Sequence, residues 1–500
     1  MERAVRKPSS LVIAALGCLG LGSVSLLLPS GPTYDSYQWL IWGRELAHFH
    51  LDTMGGGTSW KPFPALVAAF LAPLGHAQAA AWLAVARAGG LFAAFMAFRV
   101  AARLAGPRYA WTAGIAAALT FVLTREVFLR TSVGLAEALT AALALLAIER
   151  HLDGKQGQAF ALGVVVALGR PESWPFLLAY GIWLWTRPER RSRWALAAGA
   201  ALVPLCWFGG DWLGSGHAFN ASDTALHTIP NSPGAASDPA LAVVQLAWRM
   251  LPVPAHVLLP AAAVIAGAGL VRARREGRPR DDRDVIVLVL AGAAVVWTAI
   301  VVVMAVRGYA GLGRYLFPAD ALAAVVVGVG VARVAALAPS RGRRLRPAVG
   351  FAALLAFAAF AVPDALKIPA DVTALAQTAH TDDGLSDAVG EAGGPSGVFR
   401  CGRPYTGWWT VTALAYDLGV GSAAVDDHPH GRSPIVFIPT YRDPGLKSPL
   451  PRRHMRVAGV ADGWEIYERC AAPARSVRQP APRVEARAGS RSHGRRAAHT

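Results

Sequence analysis

Charge is scarce in this chain. Asp, Glu, Lys and Arg make up 16% of its 500 residues, against roughly 25% in ordinary soluble domains. The length alone would suggest several water-soluble domains, and this composition excludes that reading. Cysteine is scarce as well, and four residues cannot staple a disulfide framework. Cys18 and Cys206 fall inside apolar runs, where they read as small packing residues. Cys401 and Cys470 lie beyond the last apolar run, where an oxidising compartment would let them pair. The chain has no G-x-x-x-x-G-K-[ST] loop, no G-x-G-x-x-G after a strand and no G-x-S-x-G elbow, so nucleotide chemistry has no visible site. A two-fold internal repeat, the mark of many secondary transporters, is also missing. No metal pattern completes itself. His48, His50 and Asp52 offer donors at a spacing of two, but no second cluster closes a coordination shell. No cofactor is implied, and a divalent cation has no ligand pattern to support it.

What the chain has in quantity is apolar length. Its hydrophobic content is 54% and its mean hydropathy +0.37. Apolar runs of about 18–25 residues, long enough to cross a ~30 Å hydrocarbon core as helices, recur over the first ~365 residues. Spans are predicted at about 11–28, 79–104, 109–124, 133–149, 157–169, 174–186, 194–210, 250–271, 285–306, 315–337 and 347–363, roughly eleven in all. The pair 157–169 and 174–186 is short for full crossings. The first run reads as an uncleaved anchor; a secretory signal peptide after MERAVRKPSS is the rival reading.

The basic surplus, 49 Lys+Arg against 32 Asp+Glu, would suit nucleic acid, but its location argues otherwise. Arginines gather in alternate short loops, at Arg99–Arg108, Arg187–Arg193, Arg272–Arg283 and Arg341–Arg346, and in the last thirty or so residues. That asymmetry predicts a cytoplasmic N-terminus. Residues 29–78, 125–132, 170–173, 211–249, 307–314 and everything after about 364 are then extracytoplasmic. Residues 1–365 form the transmembrane part and 366–470 a small extracytoplasmic α/β domain. In that domain 397–401, 434–440 and 464–470 read as strands and 407–419 as a helix. Residues 471–500 read as a disordered basic tail. The 211–249 segment shows little periodicity and reads as an irregular connector or a flexible flap.

Titratable residues concentrate in the first outer loop. Trp39, Trp42, Leu46 and Phe49 recur at helical spacing there, opposite Gln38, Glu45, His48 and Asp52, which predicts a helix lying in the membrane interface. A second short apolar helix follows over Pro62–Leu74. Asp35 sits just past the first span, where an ionised group usually has a specific task. It is the candidate general base for a hydroxyl acceptor; the alternative is a helix cap by Asp35 or Ser36. Glu137 sits inside the fourth predicted span and needs a partner, with Arg125 and Arg130 available. Arg170-Pro171-Glu172 breaks two apolar runs, as a turn with a local ion pair or as a site facing a cleft. Arg314 and Tyr315 open the tenth span in GYAGLGRYLFPAD, where a guanidinium can hold a phosphate in a fork and a phenol can add a hydrogen bond. The alternative is an arginine snorkelling at a helix end. Lys61 can serve the same anion as a point charge.

Taken together, Asp35 in the first outer loop, the short helices after it, the Arg170–Glu172 turn, Arg314-Tyr315-Leu316 with Pro318, and the soluble C-terminal part resemble the GT-C superfamily of polytopic glycosyltransferases. The style is that of bacterial protein mannosyltransferases and aminoarabinose transferases. The resemblance covers roughly residues 1–365. It implies a mainly α, polytopic membrane enzyme that is inverting and uses a polyprenyl-phosphate-linked sugar outside the cytoplasmic membrane. In that scheme Asp35 is the base and Arg314 neutralises the departing phosphate. The family often carries an acidic pair in the first loop; Tyr34-Asp35-Ser36 has one carboxylate, leaving Glu45, Asp52 or Glu137 to supply a second. The implied partners are a lipid-linked sugar donor, membrane lipids and an extracytoplasmic acceptor, with no nucleic acid. A flippase for a lipid-linked substrate and a non-catalytic envelope assembly protein are the alternatives.

Overall fold

The computed structural model describes residues 10–29, 31–124, 126–187, 193–226, 229–337, 346–400, 402–426, 435–439, 455–461 and 463–469. Arg125, the Cys401–Cys470 pairing and the basic tail at 471–500 lie outside the described residues.

The molecule is a helical bundle carrying a small sheet near its C-terminal end. At its centre runs Phe317–Leu337, in which every residue from Phe317 to Ala332 is buried. It is enclosed by the helices Gln78–Ala105, Ala110–Leu123, Ala255–Arg275 and Asp282–Val306. Its Ala, Val and Gly content explains the close packing, because lipid tails give apolar helices no hydrophobic reason to associate and close backbone approach must hold them together. At Gly328 an added Cβ would meet the Ala113 carbonyl oxygen at 2.3 Å.

Among the described residues six helices are long and apolar enough to cross a membrane, or seven if the bent pair Pro347–Pro363 and Ile368–Gln377 is one span. The other four predicted spans fall on the shorter helices Ala110–Leu123, Glu137–Leu152, Gln156–Gly169 and Trp174–Trp185. A helix of 14 residues is only about 21 Å long at 1.5 Å per residue, against a ~30 Å core. Length and composition therefore support six or seven crossings among the described residues, and the count of eleven is not confirmed.

The first-loop helix forms over Tyr34–Ala47 and the second over Pro62–Leu71, but the first does not lie open at an interface. Trp39, Trp42 and Gln38 are fully buried, and Asp35 and Glu45 are largely so. Periodicity marks the two faces of a helix without saying what covers each. Here Pro62–Leu71 covers one side, approaching so closely at Gly43 that a Cβ there would meet the Ala68 carbonyl carbon at 2.5 Å. Helix Val411–Asp417, from the C-terminal part, covers another. Thr412 Oγ1 donates to the Tyr34 carbonyl at 2.9 Å, and Arg44 donates to the carbonyls of Tyr416 and Val420 at 3.1 and 3.3 Å. Ser422 also donates to the Gln38 side chain.

The sheet comprises β1 (Pro404–Tyr405), β2 (Ile435–Pro439), β3 (Arg456–Ala461) and β4 (Trp464–Glu468) in the order β1-β2-β4-β3. β1 runs parallel to β2, and the other pairs are antiparallel. The strands expected at 434–440 and 464–470 and the helix within 407–419 are present. Residues 397–401 differ: Gly394–Arg400 is a short helix. The 211–249 segment differs too. Asn220–Ala225 and Pro239–Met250 are helices, the latter capped by Asp238 accepting from the Leu241 amide at 2.9 Å.

Candidate active site

The residues singled out by chemistry gather around one cavity of ≈ 860 Å³. Asp35 projects from the first turn of Tyr34–Ala47. Its carboxylate is not a helix cap: Thr33 holds the cap position, and Ser36 Oγ donates instead to the Val133 carbonyl at 3.1 Å. Arg314 Nη1 donates to Asp35 Oδ2, Lys61 Nζ stands 3.9 Å from the same oxygen, and Thr58 Oγ1 donates to Oδ1 at 3.4 Å. Burial alone would raise the Asp35 carboxyl; the Arg314 and Lys61 charges and the Arg314 and Thr58 hydrogen bonds outweigh it and hold it below the usual range. Burial moves the Lys61 ammonium down, an effect Asp35 partly offsets. Lys61 also lies 5.2 Å from the centre of the Trp39 ring, which fixes its direction.

Behind this pair sits a second charged layer. Glu137 is 1% exposed, Arg170 3% and Glu172 2%. Arg170 reaches Glu137 at 3.6 Å and Glu172 at 3.7 Å, and Arg314 Nε reaches Glu137 at 4.0 Å. The partners of Glu137 are thus Arg170 and Arg314. Arg130 pairs with Glu126 at 3.4 Å instead. Glu137 opens its helix and does not sit a turn inside it, because the chain turns through Gly134 (φ +84°) just before it. Both guanidiniums lie against the Tyr315 ring, Arg170 at 4.5 Å and Arg314 at 5.7 Å from its centre. The turns that carry these groups are short 3₁₀ segments, Pro171–Ser173 and Gly313–Leu316, each opening an apolar helix. In both, the polar residue sits where the apolar run stops.

Asp35, Lys61, Arg170, Glu172, Arg314 and Tyr315 line the cavity, and Glu137 backs them. Three carboxylates face three cations. Glu137 Oε1 and Oε2, Arg170 Nε and Nη2 and Arg314 Nε have no hydrogen-bond partner among the described residues, so this layer is held by charge at 3.6–4.0 Å and keeps donors in hand for an anion. Among the described residues no three His, Cys, Asp or Glu come together as a metal-binding group. His48 and His50 lie exposed beyond the end of Tyr34–Ala47, their rings 6.0 Å apart.

Several lining residues were not singled out from the sequence. Glu126, in a left-handed conformation (φ 74°), comes from the short segment before Glu137, one helical turn before Arg130, which the sequence offers only as a partner for Glu137. Asp211 lies at the end of an apolar run. Thr58, which donates to Asp35, had no signal beyond its neighbourhood. Trp408 and Trp409 come from the C-terminal part, which nothing in the sequence tied to this cavity.

No protein-family model matches the chain, and no curated protein matches it. Solved structures do. ArnT from Cupriavidus metallidurans bound to undecaprenyl phosphate superposes with a TM-score of 0.53 at 14% identity, over 92% of this chain and 98% of that one. The same protein in the apo state gives a TM-score of 0.55 at 13% identity, over 92% and 99%. At such identity the likeness is one of fold. The chain shares the polytopic helical fold of these ArnT structures.

Proposed function

We propose that the chain is an integral membrane glycosyltransferase that moves a sugar from a polyprenyl-phosphate donor to a hydroxyl acceptor with inversion. The observation that carries this reading is the gathering of Asp35, Lys61, Arg170 and Arg314 at one cavity, where the Asp35 carboxylate stands against Arg314 and Lys61. The structural relative's bound undecaprenyl phosphate supplies the donor class.

The resting pair between Asp35 and Arg314 has a mechanistic consequence. A carboxylate tied to a guanidinium is a poor base. When the donor phosphate arrives, Arg314 and Lys61 turn to it, and Asp35 loses the charges that held its basicity down. Asp35 then takes the acceptor hydroxyl proton as the oxygen attacks the anomeric carbon. The carbon–phosphate-oxygen bond breaks, and its electron pair leaves with the phosphate. The donor begins with one negative charge and leaves with two, while Asp35 goes from charged to neutral. Total charge in the cavity is unchanged, so no unpaired charge is created at the membrane surface. Arg314, in contact with Glu137 and the Tyr315 ring, stabilises the departing phosphate. Arg170 and Glu172 hold that arrangement from behind.

On this reading the cavity faces outside the cytoplasmic membrane, as the arginine asymmetry predicts, with residues 366–470 forming the outer domain. The test is sugar transfer from a polyprenyl-phosphate donor in membranes carrying Asp35→Asn or Arg314→Ala. Unchanged transfer in both would sink the mechanism, and substrate flux surviving both would favour a flippase.

A further inference from the structure

The transferase reading leaves one feature of the cavity unused: its aromatic wall. Trp408 and Trp409 pack edge to face with ring centres 5.1 Å apart, and Tyr34 meets Trp408 at 6.0 Å edge-on and Trp409 at 5.9 Å nearly parallel. All three line the cavity, and Tyr34 immediately precedes Asp35. The indoles sit on a turn pinned from both sides. Thr406 and Thr410 are buried and share a hydroxyl hydrogen bond of 2.7 Å; Thr406 also donates to the Phe437 carbonyl of β2 at 3.1 Å. Thr412 ties the same turn to the Tyr34 carbonyl. The flanking residues are thus buried and satisfied, whereas Trp409 is left 37% exposed. Three aromatic rings held in mutual contact by a pinned turn and lining a cavity beside charged groups make a surface for a ligand.

We infer that Tyr34, Trp408 and Trp409 form a sugar-ring subsite, a stacking platform that lays a saccharide against the cavity beside Asp35. The electron-rich ring face suits the weakly positive C–H face of a pyranose or furanose. Thr33, Thr58 and Ser59 line the same cavity and offer hydroxyls to the ring's edge. The division of labour follows from the chain. The bundle supplies the charged groups for phosphate, and the C-terminal part supplies the platform. This inference rests on the transferase reading, and it names the role of the C-terminal part within it.

The test is saturation-transfer NMR on the full chain in nanodiscs, with a panel of methyl glycosides: the α and β gluco-, manno- and galactopyranosides and the α-arabinofuranoside. At least one should receive saturation at its ring C–H protons. Trp409→Ala should weaken that binding about ten-fold, and Trp409→Phe, which keeps an aromatic face, by much less. This binding is read without any transfer step, so a failed base assignment, read from transfer in the Asp35→Asn protein, and a failed platform, read from saturation in the Trp409→Ala protein, are separable. Addition of the undecaprenyl phosphoglycoside of the saturated sugar assigns the source: displacement of the methyl glycoside marks the donor's sugar, and persistence marks an acceptor glycan. No saturation from any glycoside, or equal saturation in the Trp409→Ala protein with its melting temperature unchanged, would overturn the inference. So would strong quenching of Trp408 and Trp409 by brominated lipid, which would make them membrane anchors.

Discussion

Asp35→Asn separates a base from a structural carboxylate more sharply than a loss-of-activity scan. The substitution keeps the shape and removes one negative charge from a cluster of three carboxylates and three cations. If Asp35 accepts the acceptor proton, the rate constant for transfer should fall about 10²–10⁴-fold. Donor binding should move the other way. Arg314 and Lys61 would no longer be shared with a carboxylate, and the repulsion between Asp35 and the incoming phosphate would be gone. Two unit charges about 5 Å apart at an effective dielectric of ~20 interact by roughly 3 kcal/mol. With partial screening, undecaprenyl phosphate should bind about ten-fold tighter. The assay pairs single-turnover transfer with equilibrium binding of the phosphate to purified protein. A purely structural Asp35 would lose both together, with a lowered melting temperature. Slow transfer with unchanged or weaker binding in a well-folded protein would refute the idea that Asp35 and the phosphate compete for the same cations.

Other consequences follow from the packing around that helix. Gly43→Ala places a Cβ 2.5 Å from Ala68; the strain of about 1–3 kcal/mol should lower the melting temperature and reduce transfer by shifting Asp35, while Gly267→Ala, whose added Cβ meets nothing within 4 Å, should change neither. The contact between Tyr34–Ala47 and Val411–Asp417 should weaken as pH rises. Burial raises Glu45 to about 7 and Asp417 to about 6, so the folded state holds more protons than the unfolded state between the ordinary carboxyl range and these values. Stability is then greatest at the acid end of that window and falls as pH climbs through it. Melting curves from pH 5 to 8 should show the slope, and Glu45→Gln should flatten it.

The sequence was legible where physics is local. Apolar length announced the bundle, and interruption of that length by Arg170-Pro171-Glu172 and Arg314-Tyr315 announced turns carrying charge. Those turns are where the charged layer sits. What failed was anything that depends on what lies opposite. Trp39 and Trp42 alternate with polar residues as an interfacial helix would, yet they are buried because the Pro62–Leu71 and Val411–Asp417 helices close over the loop. Glu137 was recognised as needing a partner, but chain proximity suggested Arg130, when the true partners lie 33 and 177 residues further on at Arg170 and Arg314. Trp408 and Trp409 carried no hint of the cavity, since only the fold brings residues so far along the chain beside Tyr34.

The buried layer behind Asp35 sets a final, stricter condition. Arg170, Glu137 and Glu172 are almost wholly removed from solvent, and charges so placed persist only when their total is close to zero. Breaking one pair by Glu137→Gln leaves Arg170 with Glu172 and Arg314 with Asp35; since neither cation is orphaned, the expected cost is about 1–3 kcal/mol, below the ~3–5 kcal/mol of a buried charge left alone. Replacing both members, Glu137→Gln with Arg170→Gln, removes one charge of each sign and should destabilise by less than the sum of the two single changes. Activity should not recover with stability. Arg170 packs on the Tyr315 ring, and without it Arg314 loses a neighbour that fixes its ring partner. A double variant that melts near the wild-type temperature yet transfers sugar slowly would show that this layer positions Arg314. Full recovery of transfer would reduce the layer to a packing device and leave Asp35, Lys61 and Arg314 as the whole of the charged machinery.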